Sequence, residues 1–210
     1  MAVTVLVTGF GAFPGAPFNP TGPLLQRLVR LRRPGLAEVR IIAHVFPTSY
    51  AAVDRDLPAL IARHKPDALL MLGLATRARA LRIETRARNA LALMPDVTST
   101  SPRRHAIAPS GPAAIALPAP TRHLLAAART ARVPAMLSRD AGRYLCNYLC
   151  WRAAEAAGKA GGPRLAAFIH VPLVRRSPHP RRAGQQRMSL DDLAHAGSRA
   201  LLALAAAARR

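Results

Sequence analysis

Val3-Thr-Val-Leu-Val-Thr8, running straight into Gly9-Phe-Gly-Ala-Phe-Pro-Gly15 and then into leucines at 24, 25, 28 and 31, decides the fold. A short β-branched apolar run, a glycine turn and a helical face over Pro20–Arg32 spell strand, loop, helix. The same alternation recurs outward from it. Val39–Phe46 reads as a strand, and Tyr50–His64 as a helix with Val53, Leu57, Leu60 and Ile61 on one side. Asp67–Leu72 is a buried-strand run stopped by Gly73, and Leu81–Leu93 holds a further strand or a pair. Thr121–Arg132 is helical, Ala135–Ser138 a short strand, Tyr144–Ala157 a long helix and Leu165–Val171 another strand. Ser189–Ala208 closes the chain as a helix, capped by Ser189 with Asp191 and Asp192 in its first turn. Strands alternating with helices predict an α/β fold, one three-layer α/β/α domain over 1–210 around a largely parallel twisted sheet. Pro95–Pro120, rich in Pro, Ser and Gly, is a long excursion, and Arg175–Arg187 a basic, exposed stretch.

Composition narrows the function classes. Half of the 210 residues are apolar, so a substantial core is within reach, yet 44 are Ala and only nine aromatic. Lys+Arg 31 against Asp+Glu 10 gives +21, and 29 of the bases are Arg. Such a charge attracts nucleic acid and anionic membrane non-specifically. The arginines are spread along the chain, densest at Arg77–Arg88 and Arg175–Arg187, without zinc-finger spacing, an RNA-binding aromatic motif or a long basic run. A solvated arginine-rich surface is therefore preferred over a specific nucleic-acid binder. No segment reaches the roughly 18 apolar residues of a membrane helix. The first residues read as a strand rather than a signal peptide. Two cysteines are too few for a disulfide framework or a four-cysteine zinc site, and a reducing cytoplasm is the expected compartment.

Four places carry residues suited to chemistry. In Ser138-Arg-Asp-Ala-Gly-Arg-Tyr-Leu-Cys-Asn147, Gly142 permits a tight turn and a helix beginning near Arg143 holds Cys146 in its first turn. Free N–H groups and the helix dipole favour a thiolate there. A core cysteine is the competing reading, and Cys150, one turn deeper, reads as a buried spacer. His170 ends a strand, where parallel sheets collect catalytic groups, although His44 also ends a strand-like run. Glu84 is the only acid between Asp67 and Asp96 and stands among Arg77, Arg79, Arg82, Arg86 and Arg88. It is either a surface salt-bridge partner or the group that orients an imidazole. Phe10 and Phe13 sit in a glycine turn that fits neither the dinucleotide fingerprint nor the P-loop. They plug the sheet edge or wall a small ligand.

Together these segments resemble a known family. Val5-Leu-Val-Thr-Gly-Phe-Gly-Ala-Phe-Pro-Gly15 with Asn19-Pro-Thr21 is similar to the opening of the pyroglutamyl-peptidase I family of cysteine peptidases. Pro66-Asp-Ala-Leu-Leu-Met-Leu-Gly-Leu-Ala75 resembles its central strand, and Ile83-Glu-Thr-Arg-Ala-Arg-Asn89 the segment with its glutamate and a following asparagine. Ser138–Asn147 resembles its nucleophile motif, Phe168-Ile-His-Val-Pro172 its histidine motif, and Met188-Ser-Leu-Asp-Asp-Leu193 its last helix. The matches run in family order over nearly the whole chain. The resemblance implies hydrolysis after an N-terminal pyroglutamyl residue, with Cys146 as nucleophile, His170 as general base and acid, and Glu84 as orienting acid. Phe10 and Phe13 would wall the substrate pocket and Asn19 brace that loop. It further implies N-terminally pyroglutamylated peptides as substrates, no metal or other cofactor, and a homo-oligomer, dimer or tetramer. Two departures stand out. Thr76-Arg-Ala-Arg79 replaces a Gly-Gly-Arg-like step, and Leu91-Ala-Leu-Met-Pro95 lacks the base that the family carries near the oxyanion. Arg77, Arg79 and Arg88 are the candidates to replace it, and slow turnover is expected if none does. The other readings are a relative with lost or altered activity that binds or hydrolyses differently, and an arginine-rich nucleic-acid binder.

Overall fold

The computed structural model describes residues 2–13, 15–175 and 188–210. The segment read as basic and exposed, 175–187, lies outside the described residues except for Arg175. Eight strands, β1 (Val3–Phe10), β2 (Val39–Phe46), β3 (Ala68–Leu74), β4 (Leu81–Glu84), β5 (Arg86–Arg88), β6 (Ala114–Ala116), β7 (Ala135–Ser138) and β8 (Leu165–Val171), alternate with five helices. The helices are α1 (Thr21–Val29), α2 (Tyr50–His64), α3 (Thr121–Thr130), α4 (Leu145–Ala157) and α5 (Leu190–Ala208). Six strands form one sheet in the order β2-β1-β3-β8-β4-β7, and β5 and β6 form a separate ribbon.

The sheet is parallel across β2, β1, β3 and β8, but β4 pairs antiparallel with β8 and parallel with β7. The cause is the short link from Leu74 to Leu81. A parallel return needs a crossover of a dozen or more residues, so β4 must come back the other way. The start of β4 therefore lies at the same sheet end as the finish of β8.

Strand periodicity sorts side chains between two cores. Val5, Val7, Leu70, Leu72, Ala167, Ile169, Leu81 and Ile83 pack with α1, α3 and α5. Leu6, Leu69, Met71, Ala166 and Phe168 pack with α2 and α4. The central strands are buried on both faces, which is why they read as continuous apolar runs. Ser189 caps α5 as expected, accepting from the Asp192 N–H at 3.1 Å while Asp192 Oδ2 accepts from Ser189 N–H at 2.8 Å.

The excursion from Pro95 to Pro120 is pinned at its start and at its middle. Asp96 Oδ2 accepts from Tyr50 N–H at 3.0 Å, capping α2, while its Oδ1 accepts from the Thr98 hydroxyl at 2.7 Å. Burial would raise the Asp96 pKa, but hydrogen bonds from the Thr98 and Ser49 hydroxyls and from the Thr98 and Thr100 N–H groups outweigh it and hold the carboxyl at about 2. Asn89 Nδ2 donates to the Ala108 carbonyl at 2.6 Å, and its Oδ1 accepts from Ala108 N–H at 2.9 Å. No helix among the described residues is long and apolar enough to cross a membrane.

Candidate active site

Register builds the site. His170 lies two residues beyond Phe168 on β8, so it shares the α4 face, and Arg82 and Glu84 on β4 stand opposite His170 and Phe168. Two strands brought together only in the folded sheet thus place an acid beside an imidazole. Glu84 Oε1 accepts from His170 Nδ1 at 2.8 Å. The carboxylate is fully buried and His170 is 5% exposed, so Glu84 is no surface salt-bridge partner. This bond leaves His170 Nε2 for the cleft.

Cys146 comes from the other layer. The chain leaves β7 at Ser138 and turns through Gly142 at φ +83°, where Asp140 Oδ1 accepts from the Gly142 N–H at 3.0 Å. A left-handed backbone there favours glycine. Helix α4 begins at Leu145, one residue later than the Tyr144–Ala157 read from the sequence, because Tyr144 is still extended. Cys146 is consequently the second helical residue. Tyr144 supplies no side-chain cap, so the first-turn N–H groups of α4 carry no side-chain acceptor. Tyr144, Leu145 and Cys146 all line the same cleft.

Gly73 lets the sulfur settle onto the sheet. A methyl group at that position would stand 2.5 Å from Phe168 Cζ and 2.8 Å from Cys146 Sγ, closer than packing permits. The Phe168 ring in turn packs on the imidazole, with centroids 4.9 Å apart. Burial would push the His170 pKa down. The charge and hydrogen bond of Cys146, then the hydrogen bond and charge of Glu84, outweigh it and hold His170 at about 9. Both neighbours thus favour the protonated imidazole. Cys150 differs sharply: it is fully buried, and desolvation drives its thiol pKa well up.

The cleft encloses about 400 Å³ and contains Cys146 and His170. Phe10, Phe13, Asn19 and Thr48 form one flank. Asn19 Nδ2 donates to the Gly11 carbonyl at 3.0 Å while its Oδ1 accepts from Thr21 N–H at 3.1 Å, fixing the glycine turn against α1. His44, the competing histidine, lies outside the cleft, packed edge-on against Phe46 with Nε2 3.2 Å from Asp56 Oδ2. Among the described residues no group of three His, Cys, Asp or Glu side chains is placed to hold a metal.

The arginine candidates separate. Arg77 lines the cleft, Arg79 does not, and Arg88 NH1 donates instead to Asp140 Oδ1 at 3.1 Å. Met94 is 54% exposed and does not line the cleft, although its segment abuts it, the Tyr144 hydroxyl donating to the Pro95 carbonyl at 2.9 Å. Three contributors escaped the sequence reading. Arg82 is one, anchored through NH2 on Ser138 Oγ and the Asp140 carbonyl, both at 2.9 Å, with Nε 3.8 Å from Glu84 Oε1. Gly73 is another. The third is buried Asn147, which accepts from Arg88 N–H and donates to the Arg88 and Ala90 carbonyls, tying the chain beyond Glu84 to α4. Its place beside Cys146 in the turn motif was the available signal.

Comparison with known proteins agrees with this geometry. The family model described as pyroglutamyl peptidase matches residues 3–207. The chain belongs to the pyroglutamyl peptidase family. Membership makes it a cysteine peptidase. It is 30% identical over 171 residues to a pyrrolidone-carboxylate peptidase of Pyrococcus furiosus, covering 81% of each chain. It is 35% identical over 170 residues to one of Clavibacter michiganensis, covering 80% of this chain and 78% of that one. The crystal structure of Bacillus amyloliquefaciens pyroglutamyl peptidase I superposes with a TM-score of 0.83 at 26% identity, covering 97% of each chain. The pyrrolidone carboxyl peptidase of Thermococcus litoralis gives 0.85 at 28%, covering 96% of this chain and 93% of that one.

Proposed function

We propose that this peptidase removes the pyroglutamyl residue from the N-terminus of peptides, with Cys146, His170 and Glu84 as its working groups. The observation that carries the assignment is the buried 2.8 Å Glu84–His170 bond facing a helix-start cysteine inside the cleft. The Cys146 thiolate attacks the carbonyl that joins the lactam ring to the next residue. The carbonyl oxygen becomes an oxyanion, and the first-turn N–H groups of α4 are suited to receive it. As the tetrahedral adduct collapses, the C–N bond breaks and His170 Nε2–H protonates the leaving amine, freeing the shortened peptide. Water then attacks the thioester, giving its proton to His170, and free pyroglutamate leaves. Glu84 holds the imidazole with Nδ1–H inward, so that Nε2 faces the sulfur throughout. Phe10 and Phe13 wall the lactam, and Asn19 keeps their turn in place. Both cysteines are free thiols, which suits a reducing compartment such as the cytoplasm.

The test is hydrolysis of a pyroglutamyl fluorogenic amide by the wild-type protein beside Cys146→Ala. Release by the wild type alone supports the reading. No release from well-folded wild type, or equal release by both proteins, removes it.

A further inference from the structure

The cleft has two unlike flanks. Sheet order sets Phe10 and Phe13 at the end of β1 on one side, Arg77 in the link after β3 and Arg82 on β4 on the other, with His170 of β8 toward the arginine side. Arg143, just ahead of α4, lines the same cleft. Arg77 and Arg143 are exposed, and neither side chain forms a hydrogen bond or ion pair with any described residue. Arg82 spends NH2 on Ser138 and the Asp140 carbonyl and turns Nε toward Glu84, with NH1 left over. The anions nearby are already engaged. Glu84 is sealed beneath His170, and Asp140 accepts from Arg88 and from the Gly142 N–H. Arg77 and Arg143 therefore line the cleft of the reacting cysteine with no carboxylate partner among the described residues, and Arg82, whose Nε is 3.8 Å from Glu84, adds a third guanidinium to the same wall.

Cations lining a concave cleft attract anions, and they do so selectively where the substrate carries its charge. With the lactam against the aromatic flank, the residue that leaves lies along the arginine flank. We propose that Arg77, Arg82 and Arg143 select peptides bearing a carboxylate in the leaving part, supplied by Asp or Glu after the pyroglutamyl residue or by the free C-terminus of a dipeptide. This specificity rests on the pyroglutamyl-peptidase reading. It gives Arg77 of the Thr76–Arg79 departure a role, binding substrate charge.

The test compares kcat/KM for pyroglutamyl-glutamate amide, pyroglutamyl-alanine amide, pyroglutamyl-lysine amide and pyroglutamyl-alanine with a free carboxylate. The glutamate amide should exceed the lysine amide by about tenfold, the size expected of two or three partly screened cations acting on one carboxylate. The free-acid alanine substrate should exceed its amide if the C-terminal carboxylate reaches the flank; equality there assigns recognition to the side-chain carboxylate. Raising the salt from about 0.1 M to about 1 M, where the screening length falls from roughly 10 to 3 Å, should shrink the preference. Arg77→Glu and Arg143→Glu should each lower the glutamate-to-lysine ratio. Arg129→Glu, the same charge change on α3 in the opposite layer, should not. Binding of the same peptides to Cys146→Ala by calorimetry gives a readout independent of turnover. Equal handling of the glutamate and lysine amides, with alanine amide cleaved, overturns the specificity and leaves the peptidase reading standing. A ratio that Arg129→Glu lowers as much as Arg77→Glu also overturns it, since net charge would then be the cause. Neither binding nor cleavage of any of the peptides removes both.

Discussion

The two faces of the central sheet are built from the same strands and have opposite characters. On one, Val5, Val7, Leu70, Leu72, Ala167 and Ile169 meet α1, α3 and α5 in an apolar core. On the other, alternate residues of the same strands begin as core, with Leu6, Met71 and Phe168, and end at the candidate site, with Phe10, Gly73 and His170, joined there by Arg82 and Glu84 of β4. The difference shows how little is needed to turn a packed layer into a site. Toward the ends of β8 and β4 polar side chains take over, one glycine makes room, and a helix start brings in a cysteine. Burial supplies the rest. It keeps the Glu84–His170 bond away from competing water, and it raises the thiol of Cys150, one turn from Cys146, out of use.

Substitutions on the two faces should divide in the same way, and the largest effect on turnover falls on α4. Cys146→Ala should abolish pyroglutamyl hydrolysis, whereas Cys150→Ala should keep most of it and lose stability, measured by steady-state kinetics and thermal melting. Equal loss in both would erase the distinction between the two thiols.

Next come the partners of the sulfur. Glu84→Gln keeps the shape but loses the charge that holds the imidazole, and should cost about 10²–10⁴ in kcat, the usual range for acid–base machinery. The accompanying pH profile has a definite sign. His170 is protonated below about 9, so the imidazolium and its ion pair are lost as pH rises through that value, and the alkaline limb should lie there. In Cys146→Ala the largest upward influences on His170 are gone, and its titration, followed by NMR, should move to lower pH. An unmoved titration would contradict the pairing.

Gly73→Ala should be milder than losing a catalytic group and harsher than an ordinary surface change. A misplacement of about 1 Å at the reacting atom typically costs on the order of 100-fold. The added methyl, 2.8 Å from Cys146 Sγ, forces such a shift. Activity equal to wild type would show that the sulfur does not depend on that contact. The smallest effect on turnover belongs to the opposite face. Leu204→Ala in α5, fully buried, should lower stability by about 2–5 kcal/mol in denaturant titrations and leave kcat/KM unchanged at a temperature where the variant is folded.

Much of this contrast was legible in the sequence, for identifiable reasons. Val3–Thr8, Asp67–Leu72 and Leu165–Val171 are buried on both faces and announce themselves as apolar runs. Cys146, His170 and Glu84 stand out because each is scarce and each sits at a junction that chemistry uses. What stayed hidden depends on pairing between distant segments. Nothing local to Leu81–Glu84 says that it lies antiparallel to β8, so Arg82 looked like one more surface arginine. Gly73 looked like a strand stop, because the groups that need its space, Phe168 and Cys146, arrive from residues far along the chain. The Leu91–Pro95 segment was legible only through the family resemblance, and the fold of the excursion leaves Met94 54% exposed.

The central claim is that Cys146 is the one nucleophile of a pyroglutamyl site, and active-site labelling tests it most directly. Pyroglutamyl chloromethyl ketone carries the recognised ring and a carbon that a thiolate alkylates with loss of chloride. The account predicts one label per chain, located on Cys146 by peptide mass mapping, with activity lost in proportion and free pyroglutamate protecting. A label on Cys150, or full activity in fully labelled protein, would contradict it.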